Sequence, residues 1–92
     1  MQLTVKGSFH RDWKKIQNRA LNNAILKRIS EMEKATDLSQ ISHFKKLRKY
    51  SSTYKTEIVS GRKIYWMLCF IYSNEIYLVR LKPESYFKKY LR

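Results

Sequence analysis

From Tyr54 to Lys82 the residues alternate between two chemistries, and a period of two commits this stretch to β-strands. One set reads Tyr54, Thr56, Ile58, then Ile64, Trp66, Leu68, Phe70, then Tyr77, Val79, Leu81. The complementary set reads Lys55, Glu57, then Lys63, Tyr65, then Arg80, Lys82, with Met67, Cys69, Ile71, Ile76 and Leu78 further along. Successive side chains of a strand point to opposite faces, so the first set is expected under a cover layer. Part of the second set then presents cations and a phenol to water. Such a surface suits phosphate.

The strands are expected over 54–59, 63–72 and 75–82, with Ser73-Asn74 as a tight hairpin turn. Pro83 is expected to stop the ladder because it lacks an amide donor. Parity points to an odd connection, Ser60-Gly61-Arg62, or an equivalent bulge with Gly61 at positive φ. A two-residue loop would set Lys55 and Glu57 on the face of Ile64 and Trp66, which this reading buries, at a cost of several kcal/mol unless the charges pair.

Upstream, Gln2 to Lys6 reads as a short strand ended by Gly7. Ser8 is placed to cap a helix beginning at Phe9, with Phe9, Trp13 and Ile16 at helical spacing. A second helix carries Leu21, Ala24, Ile25, Ile29 and Met32 on one stripe and Asn23, Lys27, Glu31 and Lys34 on its wet side. Thr36 to Ser42 is turn-like, and His43 to Lys49 is a basic connector pinned by Phe44 and Leu47. Ser85 to Arg92 suits a short helix, amphipathic through Phe87, Tyr90 and Leu91. The class is α+β in the order β-α-α-β-β-β with a short C-terminal segment, one domain over residues 1–92.

Twenty Lys+Arg against seven Asp+Glu give a formal charge of +13, while 43% of the residues are hydrophobic. That apolar content excludes a disordered basic tail, so the expectation is a folded domain with a polyanionic partner, nucleic acid first. The single Cys69 excludes an intramolecular disulfide and reads as a buried thiol. The apolar run 64–72 is too short to span a bilayer and the N-terminus lacks a signal-peptide core, so the reading is cytoplasmic, without a membrane.

His10 and His43 are isolated, and no Cys/His/carboxylate spacing resembles a zinc set. A phosphate-cradling Gly-rich loop and a nucleophile elbow are also missing from the sequence. What remains is acid/base and electrostatic chemistry on a phosphodiester, with RNA supplying its own 2′-hydroxyl as nucleophile and with no metal or cofactor. Lys55, Lys63, Arg80, Lys82, Glu57 and Tyr86 are the candidates. Beside this stand plainer readings: Glu57 as an ion-pair partner of Lys55 or Lys63, Tyr65 and Tyr77 as packing residues rather than base-stacking platforms, Trp13 and Trp66 as core.

The segments FHRDWKKI at 9–16, FKKLRKY at 44–50, YKTEIVSGRKIYW at 54–66 and IYLVRLKP at 76–83 together resemble the RelE/ParE toxin superfamily. The resemblance implies a small antiparallel sheet covered on one face by two N-terminal helices. It implies a toxin of a type II toxin–antitoxin system, either a ribosome-dependent mRNA endonuclease of RelE type working without a metal, or a ParE-like gyrase poison. The partners implied are a cognate antitoxin, the ribosome and mRNA. Carried over by position, Lys55, Lys63, Lys82 and Tyr86 would be catalytic, with Glu57 as a carboxylate base where a Lys or Arg is usual. Arg62 could replace Lys63 after a slip of one residue. Lys45, Lys46, Arg48, Lys49, Arg62 and Arg80 would bind RNA. Glu84 stands in a region that is normally basic, and with Glu57 it keeps open a homologue that binds without cutting.

Overall fold

Strand β1 (Gln2–Val5) leads directly into helix α1 (Gly7–Lys14), followed by helix α2 (Arg19–Lys34). After a 3₁₀ turn at Leu38–Gln40 come β2 (Phe44–Lys46), β3 (Thr53–Ser60), β4 (Lys63–Tyr72), β5 (Glu75–Pro83) and helix α3 (Glu84–Tyr90). This computed structural model describes residues 1–47 and 49–90. The expected site residue Arg48 and the expected last helical positions Leu91 and Arg92 lie outside the described residues.

The five strands form one sheet in the order β1-β5-β4-β3-β2. The sheet is mixed, which corrects the expected antiparallel one: β1 runs parallel to β5, and the other pairs are antiparallel. The two N-terminal helices carry the chain across the sheet to its far edge. Three hairpin reversals from β2 back to β5 then leave β5 running with β1. The basic connector also departs from expectation, because Phe44–Lys46 pairs with Tyr54–Thr56 as an edge strand.

The core lies between the sheet and the two helices, built from Phe9, the α2 stripe Leu21, Ile25, Ile29 and Met32, and Ile58, Met67, Cys69, Ile76, Leu78 and Leu81 from the sheet. Asn18 caps α2 by accepting from the Leu21 amide at 3.0 Å. Ser8 does not cap α1. That helix starts at Gly7, and the Ser8 hydroxyl instead donates to the Val79 carbonyl at 2.5 Å.

Two register features overturn the expected sorting of faces. The β3–β4 connection is even: Ser60 pairs with Lys63 across Gly61-Arg62, and Gly61 has φ +62°. Glu57 therefore lies opposite Trp66, and Lys55 opposite Leu68. On β4 it is Tyr65, Met67, Cys69 and Ile71 that face the helices, while Ile64, Trp66, Leu68 and Phe70 face away. Both faces of β4 are apolar, so alternation alone could not tell them apart. The charges of Lys55 and Glu57 stay out of the core because the face they share with Trp66 is the far one.

The odd residue sits in β5 instead. Leu68 pairs with Arg80 and Cys69 with Leu78, which leaves Val79 as a bulge. Without it, alternation from Ile76 and Leu78 would carry Arg80 and Lys82 to the helix face. With it, Leu81 (1% exposed) drops into the core and both cations turn to the same open face as Lys55.

The Ser73-Asn74 turn forms as expected, both residues at positive φ. At Gly61 a Cβ would meet nothing within 4 Å, so any cost of adding one is backbone strain alone. Gly61→Ala is expected to lower stability by about 1 kcal/mol in urea unfolding; an unchanged midpoint would contradict the left-handed turn.

Candidate nucleic-acid interface

β5 borrows its partner from helix α1 where β1 ends. The last backbone bond from that side runs from the Lys6 amide to the Leu78 carbonyl at 2.9 Å. Beyond it, α1 covers the bare edge with side chains: Ser8 takes the Val79 carbonyl, and Asp12 Oδ2 accepts the Leu81 amide at 2.9 Å. Asp12 is buried, 6% exposed. Its carboxylate also holds Arg80 through Nε at 2.8 Å and Nη2 at 3.3 Å, and Lys82 Nζ lies 3.4 Å from Oδ1. A buried carboxylate is tolerated when its lone pairs are filled in this way.

The electrostatics follow from those contacts. Burial alone would raise the Asp12 pKa; the Arg80 and Leu81 hydrogen bonds and the charges of Arg80 and Lys82 outweigh it and hold the carboxyl below its ordinary 3.8. The bond to Asp12 reciprocally raises Arg80 above its usual value, against the opposing effect of burial. Two cations share one carboxylate, so the group stays net positive. Arg11, Lys14 and Lys15 border the same shallow cleft, about 500 Å³, adding charge from the α1 side.

On the open face, the Arg80 guanidinium carbon is 5.7 Å and the Lys82 ammonium 5.4 Å from the Tyr86 ring centroid. Tyr86 belongs to α3, which packs across this face by stacking Phe87 on Trp66 at 5.4 Å. Trp66 Nε1 donates to Glu84 Oε2 at 3.2 Å, fixing the start of α3. The Lys55 ammonium sits 3.6 Å from the Trp66 ring centroid and 2.9 Å from Glu57 Oε1. Trp66 is buried, as expected, but beneath α3 on the open face rather than under α1 and α2.

Of the residues singled out in the sequence, Lys55, Glu57, Arg80, Lys82 and Tyr86 share the open face. Lys45 pairs with Lys55 and joins its edge. Lys63 does not: it is exposed on the helix side, where it shares a hollow with Lys15, Asn18 and Tyr65. The even turn puts it there, and it carries no part of the open-face cluster. Arg62 is at the tip of that turn, Lys46 pairs with Tyr54 on the helix side, and Lys49 is exposed outside the strands. Sequence reasoning missed Asp12, although it is the only acid before Glu31 and stands among Arg11, Lys14 and Lys15. That isolation was the available signal.

Arranged this way, the site can hold a phosphate between guanidinium and ammonium groups with a phenol alongside. Among the described residues, no group of three or more His, Cys, Asp or Glu could hold a metal ion. None of the described helices is long and apolar enough to cross a membrane.

Asp12→Asn removes the charge that Arg80 and Lys82 share. It is expected to cost on the order of 2–3 kcal/mol at pH 7, toward the low side for a broken buried pair because Arg80 is partly exposed. The Asp12 pKa is depressed on folding, so its contribution is complete above about pH 4 and is lost as pH falls through the folded value. The stability gap between wild type and Asp12→Asn in urea titrations is therefore expected to be flat from pH 7 to 5 and to narrow below pH 4. A gap that stays constant to pH 2 would contradict the assignment.

No protein-family model matches this chain, and no curated protein matches it. Among solved structures, the chain is similar in fold to a copper-bound mutant toxin from Helicobacter pylori, with a TM-score of 0.53 and 18% identity. The match covers 94% of this chain and 97% of that one. At this identity the likeness is one of fold: a small mixed α+β domain of the kind that toxin has.

Proposed function

We propose that this chain is the toxin of a type II toxin–antitoxin pair, acting as a RelE-like, ribosome-dependent mRNA endonuclease. The observation that carries the reading is the Asp12-held pair Arg80 and Lys82 turned toward Tyr86 on an open, cationic sheet face. The fold likeness to a toxin supports it, as does the charge of +13.

In this reading the 2′-oxygen of a ribose attacks the adjacent phosphorus, and the bond to the 5′-oxygen of the next nucleotide breaks. A base takes the 2′-proton and an acid returns one to the departing oxygen, so the products end in a 2′,3′-cyclic phosphate and a 5′-hydroxyl. Arg80 and Lys82 stabilise the charge growing on the non-bridging oxygens, the term that dominates such catalysis. Tyr86 is the proton carrier beside them, within reach of the same phosphate. Lys55 contributes from β3, across β4 from the pair, with Glu57 holding its ammonium over Trp66. Arg11, Lys14 and Lys15 extend the cationic track for the RNA backbone, as do Lys45 and Arg62 at the margins.

A second reading is favoured by one specific observation. Lys55 is paired with Glu57, and Lys63 is on the other face, so the cluster holds fewer cations than the resemblance implied. A domain that binds without cutting, or a ParE-like gyrase poison, fits that depletion. In either reading an acidic antitoxin is the natural partner for so basic a chain.

Expression without a partner is expected to arrest growth, with discrete codon-phased cuts in primer extension of cellular mRNA. Lys82→Ala is expected to lower cleavage by about 10²–10³, the usual cost of removing one transition-state donor, and Lys82→Ala with Tyr86→Phe to relieve the arrest. Stalled replication with intact transcripts supports the gyrase reading. Normal growth with abundant soluble protein would sink the nuclease and gyrase readings and leave a domain that binds without cutting.

A further inference from the structure

One end of the open sheet face lies under α3, and the other end is bare. There Phe70 and Tyr72 are 42% and 71% exposed, and Phe70 sits directly opposite Tyr77 of β5. The Lys6 ammonium is 5.5 Å from the Tyr77 ring centroid. With Ser51, Ser52 and Thr53 along one side, these residues enclose a shallow hollow of about 490 Å³. Adjacent rings left in water on a small domain mark a surface that receives something.

We propose that Phe70 and Tyr77 form a stacking platform for unpaired RNA bases, continuing the track whose phosphates Arg80 and Lys82 hold. This rests on the reading of the open face as the RNA side. The platform and the cation cluster are on the same strands: Phe70 is four residues from Trp66 on β4, roughly 13 Å at about 3.3 Å per residue. A single strand of a few nucleotides reaches both.

Charge and chemistry select this occupant over a protein. The rings are interleaved with cations on one face, Lys6 beside Tyr77 and Arg80 further along β5, and the lining sets the Ser51, Ser52 and Thr53 hydroxyls beside Ile71. The Glu75 carboxylate accepts from the Thr4 hydroxyl at 2.5 Å and from the Tyr77 hydroxyl, so it meets the platform at the edge of the Tyr77 ring and leaves the ring faces open. Flat aromatic faces set among cations on a sheet take up splayed bases, and each stacked base contributes independently of its sequence. Tyr77 is half-buried on the open face, outside the core under the helices. A duplex keeps its bases stacked internally and cannot use such a platform.

The test is fluorescence anisotropy of the intact chain with a fluorescein-labelled octamer of 2′-O-methyl RNA, which cannot be cleaved, single-stranded and as a duplex. Phe70→Ala with Tyr77→Ala is expected to weaken single-strand binding at least tenfold, leaving duplex binding and the salt slope unchanged. Tyr77→Phe is expected to bind as wild type. Because Phe70 is exposed and Tyr77 half-exposed, the variant is expected to keep its circular dichroism spectrum. Unchanged single-strand affinity, the result if an acidic protein segment is the true occupant, overturns the proposal. So does an equal loss on single strand and duplex. Ring-dependent binding without mRNA cuts in cells would leave the platform standing and defeat the nuclease reading. Cuts that persist while the octamer ignores the rings would do the reverse.

Discussion

A single carboxylate, that of Asp12, fixes the arrangement on which the rest depends. It sits where β5 loses its parallel neighbour, and it satisfies the Leu81 amide that would otherwise be buried without a partner. The same two oxygens hold Arg80 and Lys82. One side chain thus finishes a sheet edge, docks helix α1 and gathers two cations. The bulge at Val79, whose carbonyl takes the Ser8 hydroxyl, is the complementary device. It lets Leu81 enter the core while its neighbours on both sides face water.

From this follows a sheet with two faces of different character. The helix side is a closed apolar core under α1 and α2. The open side carries cations and several rings, among them the phenols of Tyr72, Tyr77 and Tyr86, and α3 covers only the part over Trp66. Lys55 shows how tightly that part is built, with its ammonium against the indole and bonded to Glu57 at the same time. An ion pair seated on a ring is a stiffer element than a solvated lysine, and it suits positioning better than long-range attraction. Long-range attraction is supplied by the remaining excess of positive charge.

Much of this was legible in the chain. The stripe Leu21, Ile25, Ile29 and Met32 named the buried side of α2, and β4 was read with its observed bounds because Ser73-Asn74 and Gly61 punctuate it. The faces of β4 were not legible. Ile64-Tyr65-Trp66-Met67 is apolar at every position, so only the register chosen by the Gly61 turn decides which half is core. The direction of β1 was hidden too, since alternation carries no sense of strand polarity. The grouping of cations on the open face was legible only in part for a related reason. Arg80 and Lys82 were recognised by charge, yet their common face depends on a bulge that no local motif announces. Asp12 escaped notice because its partners are 68 residues away or more.

The proposal that the open face is the RNA side draws together the buried carboxylate, the bulge, the docked α3 and the exposed rings. It is tested most directly by ¹⁵N amide chemical-shift mapping during titration with a short uncleavable single-stranded RNA. The account predicts that perturbations cluster on Arg80 and Lys82, on Lys55 and Trp66, and on the start of α3, with the outer side of α2 at Asn23 and Lys27 silent. Perturbations centred on α2, or spread evenly over every basic side of the domain, would contradict it.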